Sequence, residues 1–433
     1  MTQAPGTVLV SGMFDMNNYG DLLFPLVARQ RLAEVGFDLL PVAPAGSRAA
    51  FSDALPTVDI DTMMDASRQP AAGILIGGGY IIHAHSLDFL DHYAGAGLGN
   101  WCGAGLWLGA TLAAAMRDIP LAWNAPGVPH PFSARQHRLL APALQAASYV
   151  SVRDEGSLRL LDPQGAADIA VVPDPIADLP RLWPKAQLAE DYRRLLARKG
   201  VPSETRLLAL HLRNRSIAGI DQAALGAALR DFATGQGLTP MLVAVGESHD
   251  DPAVAREMAA RIGAPLLMLD DPLSLREITA ALAHSGLYVG ASLHGYIVTA
   301  AYGVPGVLVA RPRYNKFAGF LAQTGRPQDL ATDWSEALRV AAQRQPATGE
   351  AFVPAAATTA LDRHWDRIVT AFGAPGARAA QRQAFAMALL CGAVAAEGPA
   401  WAMAPFLNRR MRAEARAAGA TAAASPTAQP ESP

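Results

Sequence analysis

At 433 residues the chain is too long for one ordinary core, and 51% hydrophobic with 17% charged residues excludes a disordered protein. Basic and acidic residues number 36 and 38, so the formal charge is −2 and no broad field draws the chain to nucleic acid or anionic membrane. An anion site must be local. Cys102 and Cys391 lie far apart and fit no metal, redox or disulfide spacing, which points to a reducing cytoplasm. The N-terminal stretch has no basic, then apolar, secretory pattern. The longest apolar run, residues 384–396, is shorter than the ~20 residues a spanning helix needs.

In chain order, short apolar runs predict strands at Val8–Val10, Leu39–Val42, Ile74–Ile76, Leu121–Trp123, Tyr149–Val152 and Ala170–Val172. Amphipathic stretches between them predict helices at Leu22–Val35, Leu106–Met116, Ser133–Ala147 and Ser157–Leu161. Such alternation indicates βαβ units and a parallel sheet. A proline-rich stretch from Pro173 to Pro184 then marks a domain boundary. A second alternation follows, with strands at Leu207–Leu210, Met241–Val245, Leu266–Leu269, Leu287–Val289 and Val307–Val309. Its helices are expected at Asp221–Phe232, Ala253–Ile262, Ser274–Ala283, His294–Ala301 and Lys316–Gln323, with Leu361–Phe372 crossing back between lobes.

The expected architecture is α/β, with two Rossmann-like parallel-sheet lobes facing across a cleft. The lobes span residues 1–184 and 185–373, and an extension covers 374–433. Its end, from about 417, reads as disordered from its Ala, Pro and Ser content. In open parallel sheets ligands bind beyond the carboxyl ends of the strands, so functional residues belong where a strand hands over to a loop or helix.

Five such places carry chemistry. Asn17-Asn18-Tyr19-Gly20-Asp21 follows the first strand. It reads as a turn capped by Asp21, or as a backbone cradle for an anion with Asp21 as acid or base. Gly77-Gly78-Gly79 ends the third strand, where three glycines cost backbone entropy and suggest close approach of backbone or ligand. It lacks the spacing of a dinucleotide fingerprint, and His83 and His85 beyond it lack a third metal ligand. Arg153, at the end of VSVR and before Asp154, is either a bidentate anion ligand or a surface ion pair of little worth. Arg213 follows the first strand of the second lobe and faces the expected cleft. His294 follows the strand Leu287–Val289, flanked by Gly290 and Gly295, where helix N–H groups favour anions. It is either a catalytic histidine or a buried helix cap.

Taken in order, NNYGDLLF, ILIGGG, VSVRDEGSLRLL, VPDPI, HLR, YVGASLHGYIVTAAYGVP and YNKFAGFLAQTG resemble the polysaccharide pyruvyl transferase family over roughly residues 8–325. The resemblance implies a glycosyltransferase-B-like fold and transfer of a pyruvyl group from phosphoenolpyruvate to two sugar hydroxyls of a polysaccharide or glycan precursor as a cyclic ketal. It implies no separate cofactor and no metal. Carried over by motif, Arg153 holds or polarises the donor and His294 is the principal catalytic histidine. Asp21 is a base or orients His294. Arg213, Ser292, Gly295, Asn18, Gly20, Gly77, Gly78 and Gly79 are expected at the donor. The family pattern S-R-L-H-G has Ser292 here in place of its arginine, and a serine cannot neutralise a phosphate. Either Arg213, Arg215, Arg311 or Arg313 supplies the charge, or the donor differs. The alternatives are a glycosyltransferase of the same fold using a nucleotide sugar, and a glycan-binding member without turnover. The acceptor is expected against first-lobe loops such as residues 82–101. Oligomeric state is not legible.

Overall fold

The structure, a computed structural model, describes residues 6–94, 97–165, 167–246, 251–344 and 351–403. The segment expected to be disordered, from about residue 417, lies outside the described residues. The first lobe is built on a parallel four-stranded sheet of order β2-β1-β3-β4, with β1 Thr7–Ser11, β2 Asp38–Val42, β3 Gly73–Ile76 and β4 Leu121–Trp123. A parallel bridge from Ala122 to Tyr149 continues it toward the short pair β5 Ser151–Val152 and β6 Ala170–Val171. The second lobe is a parallel six-stranded sheet of order β12-β11-β10-β7-β8-β9. Its strands are β7 Leu207–His211, β8 Thr239–Val243, β9 Leu267–Leu269, β10 Leu287–Gly290, β11 Gly306–Val309 and β12 Leu330–Ala331.

The strands read as continuous apolar runs because both faces of each sheet are covered. Within β1, Val8 and Val10 face one core cluster while Leu9 faces another with Ile74 and Ile76, the period of two expected of a strand. In β7, Leu207 and Ala209 face one layer and Leu208 and Leu210 the other. One apolar cluster is continuous across both lobes, from Val8 and Phe24 to Ile278 and Ile297.

The orders place two switch points. In the first sheet the chain reverses between β1 and β3, and in the second between β7 and β10, and crevices at such points bind ligands in doubly wound folds. The two crevices face each other. Asn18 bridges Gly246 just after β8, Tyr19 N–H donates to Val245 O at 2.8 Å, and Tyr19 Oη lies 2.8 Å from Thr279 Oγ1.

Several elements differ from the sequence reading. The first helix begins at Tyr19, so Asp21 sits inside its first turn rather than capping it, and Asn18 occupies the cap position without a side-chain bond. The expected irregular boundary holds two short helical turns, Pro175–Asp178 and Leu179–Leu182, before helix Lys185–Arg198, which packs on helix Leu275–Ala283. Helix Ala355–Phe372 returns to the first lobe. There His364 joins Tyr149 Oη and Asn124 Oδ1, each at 2.9 Å, and Phe372 fills the space a side chain on Gly73 would need. Helix Ala379–Glu397, in the expected extension, packs on first-lobe helices Ala110–Arg117 and Ala134–Ala146 with Arg382 and Phe385 fully buried. By packing, both helices go with the first lobe. No helix among the described residues is long and apolar enough to cross a membrane.

Candidate active site

The loop from β1 into helix Tyr19–Ala33 brings Gly20 against His294 at the start of helix Leu293–Ala301. A β-carbon on Gly20 would lie 1.6 Å from His294 Nδ1, so only glycine lets the ring approach. Phe24, one turn on, meets the same ring edge to face at 5.6 Å. The imidazole is therefore gripped by the first lobe although the second lobe carries it. Its side chain keeps 16% exposure, while Nε2 itself is buried with no hydrogen-bond partner among the described residues.

Asp174, from the segment that joins the lobes, stands beside it. One carboxylate oxygen lies 3.9 Å from His294 Nε2 and 3.6 Å from Arg153 Nη1. The other accepts from Ile176 N–H at 3.1 Å. Arg153 Nε is 3.7 Å from Asp154. These separations compensate charge but exceed hydrogen-bond length, so the guanidinium fork keeps donors for a ligand. Arg153 is only 3% exposed, which rules out the reading of it as a surface pair. Its guanidinium stacks 4.5 Å from the Tyr80 ring centroid, and Gly127 leaves room for both groups. The helix after it is short and already capped, since Asp154 accepts from Ser157 N–H at 2.6 Å.

From the second lobe, Arg213 follows β7 with its side chain 26% exposed. It lies 3.9 Å from Asp251, whose other oxygen pairs with the buried His211 at 3.0 Å. Lys316, at the start of helix Asn315–Gln323, completes the cluster. Its ammonium lies 5.0 Å from the centroid of the same Tyr80 ring.

Electrostatics follow from this crowding. Burial pushes Asp21 up to about 6 against the pull of Lys316, Arg153 and Arg213. Burial first, then Arg153 and Arg213, brings Lys316 down to about 7. Burial, aided by Arg153, Lys316 and Arg213, holds His294 well below its ordinary value. Burial also raises Asp174, with Arg153 opposing. A site this rich in cations suits a multiply charged anion, and groups shifted toward neutrality suit proton transfer.

The other expected donor residues fall in two groups. Gly79 has φ +93°, and a β-carbon there would stand 3.0 Å from Asp21 Oδ1, so it belongs to the cluster. Gly77 and Gly78 face Phe14 and Phe24, and Gly295 faces Tyr288 Oη, so apolar and local packing accounts for these three. Asn18 contributes its backbone to the interlobe bridge. The Ser292 hydroxyl is buried and accepts from Gly295 N–H at 3.3 Å, capping the helix itself. The cap is thus Ser292 and not His294. Of the arginines considered for the missing charge, Arg215 and Arg313 are exposed, Arg311 donates to Ala218 O at 2.6 Å, and Arg213 alone is in the cluster.

Sequence reasoning missed Lys316, Asp174 and Tyr80. The first two lie inside the strings YNKFAGFLAQTG and VPDPI, and Tyr80 follows ILIGGG, so the signal was order within motifs.

Two facing Rossmann-like lobes with this cluster between them define an α/β enzyme of glycosyltransferase-B-like fold. The chain belongs to the polysaccharide pyruvyl transferase family, whose model matches residues 18–312, and it is a transferase of that family. Among solved structures it is similar to the UDP-GlcNAc 2-epimerase from Methanocaldococcus jannaschii, with 11% identity and a TM-score of 0.51 over 84% of this chain and 99% of that one. It is also similar to MnaA of S. aureus in a structure with UDP, with 11% identity and a TM-score of 0.50 over 84% and 95% of the two chains. At such identities the likeness reaches the fold alone. No curated protein matches the sequence.

Proposed function

We propose that the protein transfers a pyruvyl group from phosphoenolpyruvate to two hydroxyls of a sugar in a polysaccharide or its precursor, forming a cyclic ketal, in the cytoplasm. The observation that carries this reading is the convergence of Arg153, Arg213 and Lys316 on both Asp21 and His294 where the two switch points meet, in a chain of this family.

The enol phosphate reacts by taking a proton at its methylene carbon, which leaves an oxocarbenium-like centre at C2. A sugar hydroxyl attacks that carbon and gives up its proton. The C2–O bond to phosphate then breaks with its electron pair, and a second hydroxyl closes the ketal. One proton ends in the new methyl group and two leave the hydroxyls. One of those reloads the acid and the other is taken up with the departing phosphate.

His294 is the proposed acid. In the unliganded site burial and three cations hold it neutral, and a donor carrying phosphate and carboxylate reverses that field, so it becomes charged as the donor binds. Asp21, pushed up to about 6, is proposed as the base toward the sugar hydroxyl. Arg153 and Arg213 hold the anion, and Asp174 offsets the charge of Arg153 and His294. The acceptor is proposed to lie against the first lobe, where Phe89 and Trp101 expose aromatic faces suited to a sugar ring.

A thermal-shift panel tests the donor. Phosphoenolpyruvate raises the melting temperature in proportion to ln(1 + [L]/Kd), whereas UDP-sugars and CDP-sugars leave it unchanged. Stabilisation by a nucleotide sugar and not by phosphoenolpyruvate replaces this reading with the glycosyltransferase one.

A further inference from the structure

A helix on a protein surface normally turns polar side chains outward. Helix Lys185–Arg198 does so, with Leu188, Leu195 and Leu196 buried and Arg193 and Arg194 exposed. Helix Ala379–Glu397 does not. It buries Arg382 and Phe385 against the first lobe, while Met387, Leu390, Cys391 and Val394, at i, i+3, i+4 and i+7, line the opposite face. Met387 is 56% and Leu390 41% exposed, Cys391 is exposed, and Trp401 and Met403 continue the exposed apolar surface in the turn Ala400–Met403. Residues 384–396 carry no polar or charged side chain. A helix apolar all round belongs in a core or against a membrane, and only one face of this one has protein against it among the described residues.

We infer that this outward face lies on an anionic membrane surface, held by the apolar stripe and by the arginines that follow it in sequence. Residues 404–416 lie beyond the described ones and hold Arg409, Arg410, Arg412 and Arg416 against the single acid Glu414, in a chain whose formal charge is −2. Apolar area and a basic run next to it are the two contributions that keep a helix in the interface of an anionic bilayer. Trp401 stands between them in sequence, and its amphipathic ring suits the headgroup level. No described helix is long and apolar enough to cross, so this one lies on the surface rather than spanning it. A second copy of the chain would cover the stripe but would give the arginines no counter-charge, whereas an anionic surface takes both.

The test is co-sedimentation of the full chain with vesicles of phosphatidylcholine alone, and of phosphatidylcholine and phosphatidylglycerol in equal parts. Wild type, M387Q/L390Q and R409Q/R410Q are compared, each with its melting temperature and its mass by sedimentation velocity. Wild type is expected to bind the mixed vesicles, to bind phosphatidylcholine roughly tenfold or more weakly, and to be released as salt screens the arginines. R409Q/R410Q is expected to lose roughly tenfold or more on the mixed vesicles, and M387Q/L390Q to lose binding to both kinds. M387Q/L390Q should melt with wild type, because both side chains already face water. If it fails to fold, R409Q/R410Q carries the comparison. A wild type that ignores the mixed vesicles, or equal binding by wild type and M387Q/L390Q, overturns the inference. Equal binding by wild type and R409Q/R410Q overturns the choice of an anionic surface. A wild-type dimer that M387Q/L390Q dissociates, without vesicle binding, gives the stripe to a second copy instead.

Discussion

His294 concentrates the residue-scale argument. Its ring sits against Gly20 and Phe24, partly open, with Asp174 3.9 Å from Nε2. If it is the acid, His294→Ala should cost about 10²–10⁴ in turnover, with a fall in melting temperature limited to the lost contacts with Gly20 and Phe24. Measuring both on one preparation separates a catalytic from a packing role. A destabilised protein with normal turnover ends the catalytic assignment. Asp21 gives a second residue-scale expectation, through linkage. Its folded value is raised to about 6 from an ordinary 3.8, so the folded state holds the proton more tightly than the unfolded one. Wild type therefore loses stability between about pH 4 and 6, and the loss persists above that. Asp21→Asn, which never ionises, should gain melting temperature over wild type across that window and keep a constant lead at higher pH, while losing turnover. A lead that shrinks as pH rises contradicts the assigned shift.

Among the elements, helix Tyr19–Ala33 is where local preference and function conflict. Alanine in place of Gly20 favours a helix by ~1 kcal/mol, but its β-carbon overlaps His294 Nδ1. Gly20→Ala should lower turnover by roughly tenfold or more, the scale of a displaced catalytic group, with little fall in stability. Unchanged kinetics would mean that the imidazole has room to shift at no cost. The helix bearing His294 works differently, since Ser292 caps it and leaves the histidine side chain for the cleft.

At the scale of the whole molecule, helix Ala379–Glu397 is structural support for the first lobe rather than an appendage. Phe385 is fully buried there, and Phe385→Ala should cost about 3–5 kcal/mol in a denaturant titration while phosphoenolpyruvate affinity of the folded fraction is retained. A chain ended before Ala417 should melt with the full-length protein. Its last residues, rich in Ala, Pro and Ser, offer too little apolar area against an ordering entropy of ~1–2 kcal/mol per residue. A loss of several degrees would show that this segment packs.

The sequence by itself determined the two α/β lobes, because apolar runs of strand length alternating with amphipathic stretches are a local signal. It also singled out Asp21, Arg153, Arg213 and His294, since each stands where a strand ends and the ordered motifs match one family. Helix Ala379–Glu397 was not legible, because only the shape of the first lobe decides that Phe385 is covered. Gly77 and Gly78 looked like ligand glycines, yet Phe14 and Phe24 take the space their side chains would need. Lys316 and Asp174 lay inside ordered motifs, but nothing local showed that they reach the site. Lys316 follows Asp21 by nearly 300 positions, and only the meeting of the two switch points sets their charges against each other. Periodicity is written along the chain, whereas desolvation and charge coupling depend on distances across it.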